Sequence, residues 1–158
     1  MTPSRDRKRP AELLGELIPA MQRATRAVDD AAAARLGLIR TDLRCLEAIL
    51  VRGPVAASKL YDVVGLTRRS MTPALDRLEE AGFIRRIIDL TDRRRINVEA
   101  KAAAKQAASE IWEPLGEDGL RLLERYSDEE LEILVRFFQE YSALQRAHAR
   151  RIGELGAR

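Results

Sequence analysis

The spacing of apolar residues predicts a long helix near the start of the chain. Between residues 11 and 36 they recur every three or four positions, as on one face of a helix. These positions are Leu13, Leu17, Met21, Ala24, Val28 and Ala32. Pro10 suits the first turn of this helix, and Gly37 suits its end. Pro19 removes one backbone donor and clashes with the preceding turn, so we expect a kink or break near Leu17.

The next segments predict a helix-turn-helix. A second helix is predicted over residues 40–51 and a third over residues 57–64, closed by Gly65 in the position of a left-handed cap. Thr67 then offers an N-cap hydroxyl to a fourth helix. Two helices joined by a tight turn at Gly65 form a helix-turn-helix.

The pattern then changes from helix to strand. Residues 83–88 are rich in β-branched and aromatic side chains, residues 95–98 alternate polar with apolar, and residues 89–94 are a short polar connection. The sequence therefore predicts a two-stranded hairpin directly after the fourth helix.

Long helices are predicted to complete the chain. Pro114, Gly116 and Gly119 interrupt an Ala-rich fifth helix, which we expect to be bent or split. Ser127 and Glu130 form a capping box before a last helix with a wide apolar stripe. This apolar surface exceeds what a small helix-turn-helix can cover, so we expect packing against a second copy as a homodimer.

Charge is distributed unevenly along the chain. Lys and Arg number 28 against 25 Asp and Glu. Residues 59–95 carry nine cations and six anions, residues 1–10 carry four and one, and the remainder carries fifteen and eighteen. A basic middle between acidic helical arms indicates that the middle meets an anion such as nucleic acid.

Residue counts and absent motifs argue against catalysis. One Cys and one His disfavour a disulfide framework, a zinc finger and a Cys/His dyad. Phosphate-loop, dinucleotide and common hydrolase motifs do not occur in the sequence. We expect no enzyme activity, no cofactor and no metal site. No apolar run approaches the ~18 residues of a membrane span, so we expect a cytoplasmic protein without a membrane partner.

The order of these elements resembles the MarR (multiple antibiotic resistance regulator) family of winged-helix transcription factors. The likeness is continuous over residues 36–98. The segments that carry it are Leu36-Gly37-Leu38, Gly53-Pro54, Val64-Gly65-Leu66-Thr67, Leu78-Glu79-Glu80-Ala81-Gly82-Phe83-Ile84-Arg85-Arg86, Asp89 and Asp92-Arg93-Arg94. The resemblance implies a mainly α fold with a small β-hairpin wing, in which dimerisation helices flank the winged helix-turn-helix.

Three positions depart from the family pattern. Ile39 replaces the Thr that usually caps the second helix, so we expect the cap to shift to Thr41. Pro73 stands inside the recognition helix, which predicts either a bent first turn or a later start with Thr72 as cap. Residues 98–101 replace the usual Leu-Thr-x-x-Gly, which leaves the start of the fifth helix open.

Donors near the N-terminus of a helix in the major groove reach base edges and phosphates. In the fourth helix the candidates are Thr67, Arg68, Arg69, Ser70 and Thr72. Arg suits this role because its planar fork grips guanine or phosphate at two points. The alternative is that Arg68 and Arg69 are a solvated turn. Arg77 would contact the DNA backbone at best, and could equally pair with Asp76 or Glu80 on its own helix.

The hairpin tip is the second candidate DNA contact. Asp92, beside Arg93, Arg94 and Arg95, can fix the tip through ion pairs while one Arg extends into a narrow minor groove. The family resemblance implies the same contact and favours Arg93 or Arg94 as the reader. The alternative is an exposed salt-bridge cluster of little energetic value.

The resemblance also implies a pocket for a small, often aromatic or acidic effector between the DNA-binding lobe and the dimerising helices. The candidate lining residues are Met21, Leu43, Arg44, Ile111, Trp112 and Leu115, with Arg44 as carboxylate partner. Each could equally be core. For Cys45 we favour a small buried hydrophobe over a peroxide sensor. His148 is most simply a surface or interface residue.

The sequence thus predicts four segments. They are a basic, flexible arm over residues 1–10, a dimerisation helix over 11–36, a winged helix-turn-helix lobe over 37–99 and C-terminal dimerisation helices over 100–158. The expected function is a homodimeric repressor of a pseudo-palindromic operator in double-stranded DNA, relieved by a small-molecule effector. The alternative is a winged-helix protein-interaction module without specific DNA binding, for which Pro73 is the best argument.

Overall fold

The structure, a computed structural model, describes residues 5–88 and 95–155, without the side chains of residues 5–8 and Asp62. The chain divides into two compact units, the first ending at Ile111 and the second beginning at Trp112. The elements in chain order are α1 (Arg5–Leu36), α2 (Arg40–Arg52), β1 (Val55–Ala56), α3 (Ala57–Val64), α4 (Arg68–Glu80), β2 (Ile84–Ile88), β3 (Ile96–Ala100), α5 (Ala102–Leu123) and α6 (Asp128–Leu155).

α1 is longer than the sequence predicts. It includes residues 5–10, which were expected in a flexible arm, and it continues through Pro19 to Leu36. The predicted break near Leu17 is therefore wrong, and the alternative of a kink there stays a prediction. A proline removes one donor of the helical ladder, but the surrounding Glu, Leu and Ala have high helix propensity and maintain the rest. Gly37, with a φ of 66°, follows the helix end as predicted.

α2 begins without a side-chain cap. Ile39 occupies the N-cap position and forms no side-chain cap hydrogen bond, so the predicted shift of the cap to Thr41 is wrong. The carbonyl of Ile39 closes the first turn instead, because it accepts from the N–H groups of Asp42 at 3.0 Å and Leu43 at 3.1 Å.

The predicted helix-turn-helix is present as α3 and α4. Gly65 adopts the left-handed conformation at φ 67° and ψ 32°, and its N–H donates to the carbonyl of Tyr61 at 2.9 Å. A residue with a Cβ is strained in this conformation, so glycine suits the turn. Thr67 then caps α4, since its Oγ1 accepts from the N–H of Ser70 at 3.3 Å.

Pro73 does not break α4. The helix begins at Arg68 and continues past Pro73 to Glu80, so the predicted late start with Thr72 as cap is wrong. The hydroxyl of Thr72 instead donates to the carbonyl of Arg68 at 3.2 Å. The cap lies upstream of the proline, and the buried side of the helix holds the turns on either side of it.

The sheet contains the predicted hairpin and one strand that the sequence did not reveal. β2 and β3 pair antiparallel, from Ile84 opposite Ala100 to Ile88 opposite Ile96. β1 pairs with the other edge of β3, giving the order β1-β3-β2. Its two residues are too few to show the alternation that identifies a strand. After β3, the N–H of Lys101 donates to the carbonyl of Phe83 at 2.8 Å and α5 begins, which settles the junction left open by the sequence.

The last two helices are each continuous. α5 continues through Pro114, so the predicted split does not occur. The capping box before α6 is confirmed: the N–H of Ser127 donates to Oε2 of Glu130 at 2.9 Å, and the N–H of Glu130 donates to Oγ of Ser127 at 3.3 Å.

The largest enclosed side chains belong to the winged lobe, by which we mean the elements from α2 to β3. The side chains that are at most 1% exposed include Leu43, Leu46, Ile49, Leu60, Met71, Leu78, Ile84 and Val98. α6, by contrast, has no buried residue. The core therefore fixes the helix-turn-helix to the base of the hairpin.

Candidate nucleic-acid interface

α4 has one face in the core and the opposite face in solvent. Its buried residues are Met71, Ala74, Leu75 and Leu78. The predicted DNA contacts Thr67, Arg68, Arg69, Ser70 and Thr72 are all exposed. The apolar spacing of four and three residues determines this orientation, because it places the buried residues on one side of the helix.

The first turn of α4 concentrates positive potential. Arg68 and Arg69 are exposed, and neither forms an ion pair with another residue that the structure describes. The free N–H groups at a helix N-terminus add a partial positive charge. This end of α4 therefore offers both long cationic side chains and backbone donors to an anion.

Arg77 has a partner that sequence spacing did not predict. Its Nε and Nη2 donate to the two carboxylate oxygens of Asp42 in α2, at 2.8 and 2.6 Å. The expected partners on its own helix, Asp76 and Glu80, are replaced by one 35 residues away. Hydrogen bonding to Asp42 raises the pKa of Arg77. Asp42 is only 2% exposed, so this pair ties the middle of the recognition helix to α2.

Arg86 forms a second link that the sequence analysis missed. From β2 it contacts Asp76 at 2.5 Å and also pairs with Glu79, whose Oε1 accepts the backbone N–H of Arg86 at 3.1 Å. Burial lowers the pKa of Arg86, but the hydrogen bonds to Asp76 and Glu79 outweigh it and the pKa is raised. The available signal was the three-residue spacing of Asp76 and Glu79, which places both carboxylates on one helix side.

The wing is described only at its base. Asp92, Arg93 and Arg94 lie outside the described residues, and their roles stay predictions. Arg95, directly before β3, is exposed. Arg85 pairs across the strands with Glu99, directly opposite it in the ladder.

A cleft of about 320 Å³ joins α4 to the base of the wing. Arg68 and Thr72 of α4 line it together with Arg86 and Arg95 from the hairpin. The two predicted DNA-contacting elements thus border one cationic surface.

Comparison with known proteins identifies this architecture. The MarR family model matches residues 38–96, from just before α2 to the start of β3. YcgE of Bacillus subtilis strain 168, an uncharacterized helix-turn-helix-type transcriptional regulator, is 38% identical over 107 residues, which cover 68% of this chain and 70% of that protein. The chain belongs to the MarR family. It is a DNA-binding transcription regulator, as the sequence resemblance implied.

Solved MarR-family structures share the fold. A mutant of MepR from a multidrug-resistant clinical isolate of S. aureus superposes with a TM-score of 0.67 at 16% identity, covering 82% of this chain and 96% of that one. Wild-type MarR from E. coli, in its apo form, gives a TM-score of 0.60 at 19% identity, covering 81% and 95%. The mainly helical fold with a small β wing is therefore confirmed.

The residues proposed to line an effector pocket occupy different environments. Met21 is 45% and Leu115 51% exposed, and Ile111 and Trp112 are partly buried. Leu43 is enclosed in the core. Arg44 donates from Nη2 to the carbonyl of Val64 at 2.7 Å, which satisfies one of the carbonyl groups left open at the end of α3. A MarR-family effector role for these residues is still a prediction.

Cys45 is buried, as predicted, and 0% exposed. Its Sγ lies 3.5 Å from Sδ of Met71. Burial raises the pKa of the Cys45 thiol to about 11. A reactive thiol needs access and a depressed pKa, so this environment disfavours peroxide sensing. His148 is exposed on α6.

No helix in the described part of the chain is both long and apolar enough to cross a membrane.

Proposed function

We propose that this MarR-family regulator is a homodimeric repressor that binds a pseudo-palindromic operator, with one α4 in the major groove of each half-site. The observation that carries the proposal is the division of α4. Its N-terminal half presents Arg68, Arg69, Ser70 and Thr72 to solvent, while its other face is held in the core. An Arg fork there can read guanine or grip phosphate at two points.

The two arginine links support this role for α4. Arg77 joins it to α2, and Arg86 joins it to β2. Because α4 is held against α2 and β2, it presents its hydrogen-bond donors in a fixed geometry. This lowers the entropy that is lost when the protein binds DNA. Arg77 therefore acts mainly as a positioning residue, although its side chain is 45% exposed and a backbone contact stays a prediction.

The wing supplies the second DNA contact in this proposal. Arg95 lines the same cleft as Arg68. An Arg at the hairpin tip suits a narrow, electronegative minor groove, and Arg93 or Arg94 is the proposed reader with Asp92 fixing the tip.

Homodimerisation is supported by apolar surface on the first and last helices. Exposed large apolar side chains on these helices are Leu13, Leu14, Leu17, Met21, Val28, Ile133, Val135, Phe138, Leu144, Ile152 and Leu155. Large exposed apolar side chains on each of these helices are typical of an interface. A two-fold dimer would bury them and match the two-fold symmetry of an operator.

We further propose that a small aromatic or acidic effector relieves repression. It would favour a dimer conformation whose two α4 helices no longer match the half-site spacing. Its effect cannot exceed its difference in affinity for the two conformations. Binding to operator DNA also implies a cytoplasmic location.

The course of α4 does not favour the alternative of an interaction module without specific DNA binding. That alternative depended on Pro73 disrupting the recognition helix, and α4 continues past that residue.

The test is a fluorescence-anisotropy titration of DNA from upstream of the protein's own gene against a scrambled duplex at two salt concentrations. We expect at least ~10³-fold preference for the upstream fragment, which persists at the higher salt. Equal, weak and salt-sensitive binding to both duplexes contradicts an operator in that fragment.

Two variants locate the contacts. Arg69→Ala should weaken specific binding at least tenfold, and Arg94→Ala should weaken it while the protein stays folded and dimeric. Arg52→Ala is the matched control, since it removes an exposed cation of the same lobe from the end of α2. If all three variants lose affinity equally, the effect is one of net charge and not of this surface.

A further inference from the structure

Pro73 lies in the middle of α4 and is exposed, so its ring contributes little to the core. Since successive residues of a helix are rotated by about 100°, Pro73 lies on the side opposite Met71 and Leu75. Arg69, four residues earlier, is its neighbour on the same side. These two residues occupy the centre of the solvent face in the N-terminal half of the helix.

This position is unfavourable for a proline on helix stability alone. Pro73 has no N–H to donate to the carbonyl of Arg69, and a proline ring crowds the preceding turn. No apolar packing of the ring compensates, because the residue is exposed. The exposed ring is therefore available to contact a partner outside the chain.

The solvent face of α4 carries acidic side chains beyond Pro73. Glu80 is exposed, and Asp76 is held by Arg86. The exposed carboxylate of Glu80 repels phosphates, so we expect the base contacts of α4 to come from its first two turns, with Arg77 beyond them contacting the DNA backbone at most. Pro73 then lies at the end of the part of α4 that we expect to contact bases, one helical turn after the cationic Arg69.

The chemistry of the ring limits what it can recognise. Proline offers apolar CH2 groups and no side-chain donor or acceptor. Among the edges of the base pairs in the major groove, the matching feature is the C5-methyl group of thymine. A proline at this place can therefore distinguish thymine from cytosine without a hydrogen bond.

We propose that Pro73 is a specificity-determining residue whose ring packs against the C5-methyl group of one thymine in each operator half-site. This rests on the proposed entry of α4 into the major groove. Side chains four residues apart on a helix are about 5–6 Å apart, and base pairs are spaced about 3.4 Å along DNA. The thymine therefore lies within one or two base pairs of the base that Arg69 contacts.

The experiment begins with selection of the tightest duplexes from a random pool by the full-length protein. Each thymine of the selected motif is then replaced by deoxyuridine, which removes only the methyl group, and affinity is measured by anisotropy. For the wild type we expect one thymine per half-site at which deoxyuridine weakens binding about fourfold, the effect of burying one methyl group. Pro73→Ser should abolish this sensitivity at that thymine alone.

Two further variants make the result specific. Pro73→Ala keeps one methyl group and should retain part of the sensitivity, whereas Arg69→Ala should bind more weakly but keep all of it. Thermal melting checks that each variant is folded. The inference is overturned if the selected motif lacks thymine, or if deoxyuridine weakens the binding of wild type and of Pro73→Ser to the same extent. Either result leaves the proposed function standing. Failure to select any motif overturns both.

Discussion

The winged lobe encloses a core of large apolar side chains, whereas α6 has no buried residue and exposes several side chains of the same types. Leu78 of α4 is 0% exposed, while Leu144 of α6 is 62% exposed. Ion pairs differ in the same way between the lobe and the second unit. In the lobe, Asp42 is buried beneath Arg77, whereas Arg121 of α5 pairs with exposed carboxylates. The lobe is thus completed by contacts within one chain, and α6 requires a further surface to bury its apolar residues.

The largest expected effect comes from opening the core of the lobe. Leu78→Ala should lower the free energy of unfolding by about 3 kcal/mol, since it removes an enclosed side chain and leaves a cavity. Leu144→Ala, the matched truncation on α6, should leave the stability of the dilute monomer unchanged within about 0.5 kcal/mol. Urea unfolding monitored by circular dichroism measures both.

The same pair of variants tests the dimer. In sedimentation at increasing concentration, Leu144→Ala should weaken self-association, and Leu78→Ala should act only through folding. A dimer unaffected by Leu144→Ala would show that this residue lies outside the interface.

Breaking the Arg77–Asp42 ion pair should lower the free energy of unfolding by less than opening the core, but by more than breaking an exposed ion pair. Arg77→Met leaves the carboxylate of Asp42 buried without its partner, and should cost about 2 kcal/mol. This value is below that for a fully buried pair, because Arg77 is 45% exposed and water can enter. Arg121→Met, which breaks exposed pairs in the second unit, should cost about 0–0.5 kcal/mol.

The double variant Asp42→Asn with Arg77→Met is the control for this pair. It should be less destabilised than the sum of the single variants, because the buried charge is gone. Additive losses would mean that the two side chains do not interact in solution.

A loss smaller than that for the buried ion pair is expected at a purely local contact outside the lobe. Ser127→Ala removes the hydroxyl that accepts from the N–H of Glu130, and should cost about 1 kcal/mol of helix stability. Ser127→Asp is the matched control, because a carboxylate can also cap the helix. Hydrogen exchange of the first turn of α6 measures the change, and equal protection in all three proteins would contradict a capping role.

Features that depend on neighbouring residues could be predicted from the sequence. The left-handed turn at Gly65, the cap at Thr67 and the capping box at Ser127 and Glu130 involve residues at most four positions apart. The alternation of core and solvent along α4 follows in the same way from local spacing. Such patterns can be read because helix geometry fixes which nearby residues meet.

Contacts between distant residues, in contrast, depend on how the separate elements pack and could not be predicted from the sequence. Neither the pairing of β1 with β3 nor the contact of Arg77 with Asp42 could be read from spacing, since both depend on how separate elements cross. The interruptions expected at the prolines of α1, α4 and α5 were wrong for a related reason. A local rule gives the cost of one missing hydrogen bond, whereas the continuity of a helix depends on all its turns and on the core that holds them.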